Sequence, residues 1–271
     1  MSEYPLSDVT LSRRLERCEG TANAAFVESR ARIDPQSGAT WIERAGAYAM
    51  FDGVGSPLTQ TFGLGIFETP TEDDLAHIER FFDERGAEVF HEVSPIAGPE
   101  LIALLVARAY RPVELTTVMY RPIASPRERG AGQAEGPVAR MASAEEVDLW
   151  ASTAAEGWGD TPELSAFIRN FARVTASAKG TSPFFAELDG RPVGTGAIVL
   201  HEGVGILAGA STIPSARNRG AQRALLEARL AFAREQGCDL AMMCAAPGSA
   251  SQRNAERQGF RIAYTRIKWG R

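Results

Sequence analysis

Twice along this chain the same run of elements is written out: a helix stopped by glycine, a short apolar strand, a second helix, and a closing strand. In the first copy residues 72–85 carry a helical pattern that Gly86 ends, 88–93 form a strand, 99–109 a helix and 113–120 a strand. In the second copy 221–236 form the helix stopped by Gly237. A strand at 239–246, a short helix at 248–258 closed by Gly259, and a strand at 260–269 follow. The step from Gly86 to Tyr110 is 24 residues, and from Gly237 to Phe260 it is 23. Matched lengths predict an internal duplication within an α/β (α+β) chain, although such runs are common in α/β proteins.

Between the copies lies a stretch rich in Gly, Pro, Ala and charge with no apolar periodicity, residues 124–137, which reads as an exposed connector. The expected organisation is therefore a domain at 1–123, a linker at 124–137 and a domain at 138–271, each a central twisted mixed sheet flanked by helices. In the first half, 48–51 and 58–67 also read as strands. The second half opens with a strand at 138–141 and a helix capped by Ser143 that runs to Glu156. A further helix begins at Thr161-Pro162, with Leu164, Phe167, Ile168, Phe171 and Val174 on one face. Residues 184–188 and 193–200 form a hairpin around Asp189-Gly190, and 204–213 a third strand.

Composition removes several classes. The 271 residues carry 29 Lys+Arg against 34 Asp+Glu, a net charge of −5, which argues against a general nucleic-acid binder. No apolar run approaches the ~20 residues that span a bilayer, so no membrane role is expected. Residues 1–20 are polar, without a signal-peptide core. Three cysteines and three histidines are scattered with neither metal-ligand nor disulfide spacing, which predicts no metal and fits a reducing cytoplasm.

The chemistry concentrates at Thr212-Ile-Pro214-Ser-Ala-Arg217-Asn218-Arg219-Gly220-Ala221-Gln222-Arg223. A strand stops at Pro214 and a helix starts near Gly220. Helix N-termini present unpaired N–H groups and about half a positive charge. Gly220 removes a side chain where an anion would sit, and arginine forks match phosphate oxygens. This is an anion cradle suited to a pyrophosphate. It is not a P-loop, because no GxxxxGK[ST] occurs, and Gly194-Thr-Gly196 is not a dinucleotide fingerprint.

Here the sequence resembles the GNAT superfamily of acyl-CoA-dependent N-acyltransferases. That family carries [R/Q]-x-x-G-x-[G/A] at such a junction, with a proline three residues ahead. Arg217-Asn-Arg-Gly220-Ala-Gln222 after Pro214 is similar, as are Ala224-Leu-Leu226 and the downstream helix with Ser251 and Asn254 ending in Gly259-Phe260. The resemblance covers residues 137–269. It implies a tandem GNAT-like arrangement that takes acetyl-CoA as acyl donor, bound by Thr212, Ile213, Arg217, Asn218, Arg219, Gly220, Ala221, Gln222, Arg223 and Ser251. Three departures stand out: Gln222 where the family has Gly or Ala, Gly248 where it often has Asn, and Ala255 where many members carry a tyrosine acid. The matching junction of the first half, Phe67-Glu68-Thr-Pro-Thr-Glu72-Asp73-Asp74, is acidic and repels a diphosphate. That half is expected to be a degenerate repeat without cofactor.

The resemblance implies an N-acetyltransferase in which an amine attacks the thioester directly in a ternary complex, with backbone N–H groups near Thr212 polarising the carbonyl. Glu202, Glu187 and Glu156 are the candidate bases, each competing with a reading as a solvated acid and with a water relay. Ser251 and Asn254 are candidate partners of the leaving thiolate, with Ser251 alternatively capping its helix, and Tyr264 is a further acid candidate. Glu156 and Trp158 mark the expected substrate side. Cys244 and His91 read as structural. The expected acceptor is a small-molecule amine. An acyl-CoA sensor without turnover and a protein N-acyltransferase remain alternatives, and the oligomeric state is open.

Overall fold

The structure is a computed structural model that describes residues 4–123, 136–159 and 161–271. Most of the predicted linker, residues 124–135, lies outside the described residues. The first half runs α1 (Val9–Ile33), β1 (Thr40–Arg44), β2 (Ala47–Phe51), β3 (Gln60–Phe62), α2 (Glu72–Asp83), β4 (Phe90–Val93), α3 (Pro99–Ala107) and β5 (Arg111–Pro122). The second runs β6 (Val138–Met141), α4 (Val147–Glu156), α5 (Ser165–Ser177), β7 (Thr181–Leu188), β8 (Arg191–His201), β9 (Val204–Thr212), α6 (Ala221–Glu235), β10 (Leu240–Ala245), α7 (Ala250–Arg257) and β11 (Arg261–Gly270). The α/β class and most expected elements are present.

The chain divides into two compact units, and the division is not the expected one. One unit is Pro122–Ala241; the other joins the described residues up to Arg121 with Met242–Arg271. The expected 138–271 domain thus gives its final segment to the N-terminal unit. There β11 lies between β4 and β5, antiparallel to both, with Lys268 opposite Glu92 and Arg266 opposite Thr116. The strands β1-β2-β3-β4-β11-β5 follow in that order, and only β3 and β4 are parallel. The reason is charge and burial. Arg266, 1% exposed, meets Glu16 at 2.8 Å and also Glu19, both from α1.

Helix α1 has no counterpart among the expected elements. Asp8 caps it, accepting from Leu11 N–H at 2.9 Å. Its buried face mixes Leu11, Leu15 and Cys18 with Ser12, Glu16 and Glu19. Gly20 lets it lie close on β2, since a Cβ there would come within 2.6 Å of the Tyr48 ring. The expected strand at 58–67 shrinks to β3 because Gly63 and Gly65 take left-handed φ of +76° and +79°. On the other sheet face, α2 and α3 bury Leu75, Ile78, Phe82, Leu101 and Leu105 against Val93 and Trp269.

In the second unit the antiparallel order is β9-β8-β7-β6. Helix α4 packs Trp150, fully buried, among Ala154, Phe185 and Ala197, with its indole N–H donating to Phe184 O at 3.0 Å. Helix α6 covers the other side through Leu225, Leu226 and Ala233. Strand β9 therefore delivers its end, Thr212, between the C-terminus of α4 and the start of α6.

Candidate active site

At this junction the backbone is shaped by glycine and turn residues. After β9, Pro214–Ala216 make one 3₁₀ turn, Asn218 has φ +62°, and Gly220 caps α6 at φ +92°. Left-handed φ at Gly220 suits a residue without Cβ. A Cβ there would meet only Pro137 Cδ, at 3.9 Å, so the space ahead of the helix is open. The first turn of α6 has neither a side-chain cap nor an acid. Ala221 is buried, while Arg219, Gln222 and Arg223 are exposed, and Arg223 reaches Glu227 at 2.9 Å. An uncapped 15-residue helix start flanked by arginines fits the diphosphate of an acyl-CoA. The equivalent start of α2 is closed by a capping box. Thr71 and Asp74 bond each other's backbone, Arg44 pairs with Asp74 at 2.6 Å, and these Thr71 bonds, ahead of Arg44, hold the Asp74 carboxyl below its usual range.

Two expected cofactor residues do something more specific than expected. Arg217 sends Nη2 to Gly157 O at 3.0 Å and Nε to Thr212 O at 3.5 Å, bracing the end of α4 on the end of β9. Gln222 donates Nε2 to Ser211 O at 2.9 Å and to Thr212 Oγ1 at 2.7 Å. The N–H of Ile213, another expected cofactor residue, donates to Val193 O at 3.0 Å. Antiparallel alternation then turns the N–H of Thr212, opposite Gly194, away from β8.

Strand β9 also carries a bulge that the sequence did not announce. Between the pairs Thr195–Ser211 and Ala197–Ala208 there are two residues on β9, Gly209 and Ala210, against Gly196 on β8. Gly209 has φ +59°. Bulges of this kind re-aim the strand beyond them. Thr195 Oγ1 lies 3.2 Å from Gly209 O and 3.1 Å from Ser211 Oγ, which lies 3.2 Å from Ala154 O, so the two hydroxyl protons serve two of these three contacts at a time. Beneath lies Arg229, 3% exposed, bonding Ala197 O at 3.1 Å and Ala208 O at 3.4 Å. Burial alone lowers its pKa to about 10. The small residues Gly194-Thr195-Gly196 were the available signal, since a Cβ on Gly196 would meet the Arg229 guanidinium at 2.8 Å.

Glu156 and Trp158 are brought to the loop. Gly157 between them sits so close to β9 that a Cβ would come within 3.1 Å of Thr212 N, and Gly159 abuts Pro214. Glu156 and Trp158 are themselves exposed, Trp158 by 46%. Glu202 is not brought there. It occupies the β8–β9 turn at φ +44°, at the opposite end of β9 from Thr212, about 25 Å away along the strand. Glu187 is engaged by Arg140 at 2.8 Å, alongside Glu146, whose carboxyl Arg140 holds at about 2.

Ser251 and Asn254 lie exposed on α7, in the unit that contains Met242–Arg271. The cap of α7 is Ser249, not Ser251, with Ser249 Oγ accepting from Gln252 N–H at 3.1 Å. Ala255 is 4% exposed. Tyr264 gives its phenol proton to Glu16 at 2.8 Å and Cys244 its thiol proton to Glu19 at 3.3 Å; burial pushes both pKa values well up. His91 is fully buried against Tyr110. Among the described residues no group of three His, Cys, Asp or Glu is placed to hold a metal, and no helix is long and apolar enough to cross a membrane.

Residues 145–260, from the entry of α4 to Phe260, match the sequence model of the Acetyltransferase (GNAT) family. They form a GNAT acetyltransferase domain. Enzymes of this family take their acyl group from acetyl-CoA. Solved structures show the same fold over most of the chain. A GCN5-related N-acetyltransferase from Kribbella flavida is similar at 22% identity and a TM-score of 0.59, over 91% of this chain and 95% of that one. Another, from Sphaerobacter thermophilus, is similar at 18% identity and a TM-score of 0.55, over 83% and 76%. A tandem GNAT protein from the clavulanic acid biosynthesis pathway is similar at 14% identity and a TM-score of 0.59, over 83% and 78%. No curated protein matches the sequence.

Proposed function

We propose that the GNAT domain transfers an acetyl group from acetyl-CoA to an amine of a small molecule, in a ternary complex. The observation that carries this reading is the open, uncapped start of α6 at Gly220. Amides of the first turn and the side chains of Arg219 and Arg223 would hold the diphosphate. Bound acetyl-CoA supplies a thioester carbonyl that an unprotonated amine attacks, with the thiolate as leaving group. The Thr212 N–H, turned away from β8, would donate to the carbonyl oxygen. Arg217 fixes that strand end against Gly157, and this contact supports reading its neighbours Glu156 and Trp158 as the side from which an acceptor would enter. Of the candidate bases, Glu156 is the one whose backbone lies beside the loop.

The buried Ala255, where many family members have a tyrosine, supports a second reading, an acyl-CoA sensor without turnover. Calorimetric titration with acetyl-CoA, wild type beside Arg219→Glu, tests the binding that both readings require. One site is expected, weakened in the variant by at least tenfold, since the charge reversal removes more than the ~1.5–3 kcal/mol of a charged hydrogen bond. Thiol release across an amine panel then distinguishes enzyme from sensor. A wild type that does not bind acetyl-CoA removes both readings.

A further inference from the structure

We propose that the side chain of Gln222 is a positioning residue for acyl transfer, acting through the Ser211–Thr212 peptide unit. The proposal rests on the acetyl-CoA reading above and adds a role for a residue that departs from the family's Gly or Ala.

The geometry is local and closed. Gln222 Nε2 lies 2.9 Å from Ser211 O and 2.7 Å from Thr212 Oγ1. A backbone carbonyl only accepts, so the nitrogen of the amide is the end that faces it. Gly194 clears the approach, because a Cβ there would sit 2.9 Å from Ser211 O and 3.4 Å from Thr212 Oγ1. The carbonyl of Ser211 and the N–H of Thr212 belong to one peptide group. A donor on the oxygen draws electron density toward it and leaves the N–H at the other end more positive, the usual cooperativity of linked hydrogen bonds. That N–H points away from β8, as the Val193–Ile213 bond and strand alternation require. Gln222 therefore strengthens the donor assigned to the carbonyl oxygen without touching any ligand. A Gly or Ala at this place can do neither.

The test uses the full chain as wild type, Gln222→Ala and Gln222→Glu. Without ligand, the Thr212 amide resonance is expected to move upfield in both variants at pH 7, while that of Arg234, near the far end of α6, stays in place. In Gln222→Glu it is expected to return toward the wild-type position as pH falls below about 4–5, because a protonated carboxyl can donate to Ser211 O again. Gln222→Ala shows no such return. With acetyl-CoA and an accepted amine, kcat should fall about tenfold, less than the loss of a direct oxyanion donor, while the calorimetric Kd for acetyl-CoA changes less than about twofold. An unmoved Thr212 resonance, an unchanged kcat, or a Kd loss that accounts for the rate loss overturns the role of Gln222 alone. A wild type that binds acetyl-CoA yet turns over no amine overturns the transferase reading, and this role with it.

Discussion

Gly157 and Ser211 meet where α4 ends against β9, so closely that a Cβ on Gly157 would lie 2.4 Å from Ser211 Oγ and 2.7 Å from Ser211 Cβ. The φ of Gly157 is −61°, which alanine accepts, so the cost of Gly157→Ala is contact alone. The substitution should destabilise the protein by about 1–3 kcal/mol, the range for overpacking. It should also displace Thr212, whose nitrogen lies 3.1 Å from the same Cβ. Urea unfolding and kcat, measured together, check this; an unchanged kcat in a folded variant would show that the strand end tolerates displacement.

Glu202→Gln should leave turnover within twofold of wild type, about the scatter expected of a surface change. Its side chain is 82% exposed, 3.8 Å from His201, and at the far end of β9 from the cradle. Steady-state kinetics against the same substitution at Glu156 decide which acid the reaction feels. A large loss at Glu202 alone would move the site to the other end of the strand.

His91 gives the fold a pH dependence with a definite sign. Burial lowers its pKa from 6.5 to about 3, with Glu79 opposing and Arg271 adding. The unfolded chain takes up this proton below about pH 6.5 and the folded chain does not, so stability is full above 6.5 and declines as pH falls toward 3. The slope is about 1.4 kcal/mol per pH unit. Buried Glu16 and Glu92, whose pKa values burial raises, act in the opposite sense, so the comparison must be with His91→Phe. The stability gap between wild type and variant should shift by about 2 kcal/mol from pH 7 to pH 5. A gap that stays constant would mean that His91 titrates normally in the folded state.

The strand-to-helix junction was legible in the sequence because its shape is local. Pro214, Gly220 and Gly237 fix where β9 stops and where α6 starts and ends, and each does so through its own backbone. Helix α1 was not legible for the opposite reason. A glutamate on a helix face normally marks solvent, yet Glu16 is 1% exposed. What makes it a core residue is Arg266, 250 positions along the chain. The place of β11 is hidden in the same way, since its pairing with β4 and β5 depends on that distant ion pair rather than on its own pattern. The bulge at Gly209 is set by Arg229 and Trp150 approaching from two helices, and no spacing in β9 alone encodes it.

During translation, the N-terminal half emerges first but has to wait. A ribosome that has released β4 and β5 has exposed two strands whose shared partner, β11, is not yet synthesised. Until residues 261–270 leave the exit tunnel, Glu16 and Glu19 have no Arg266 to meet, and the sheet of that unit has a gap between β4 and β5. The unit that contains β4 and β5 therefore closes its sheet only after the unit that lies between β5 and β11 in sequence has been made.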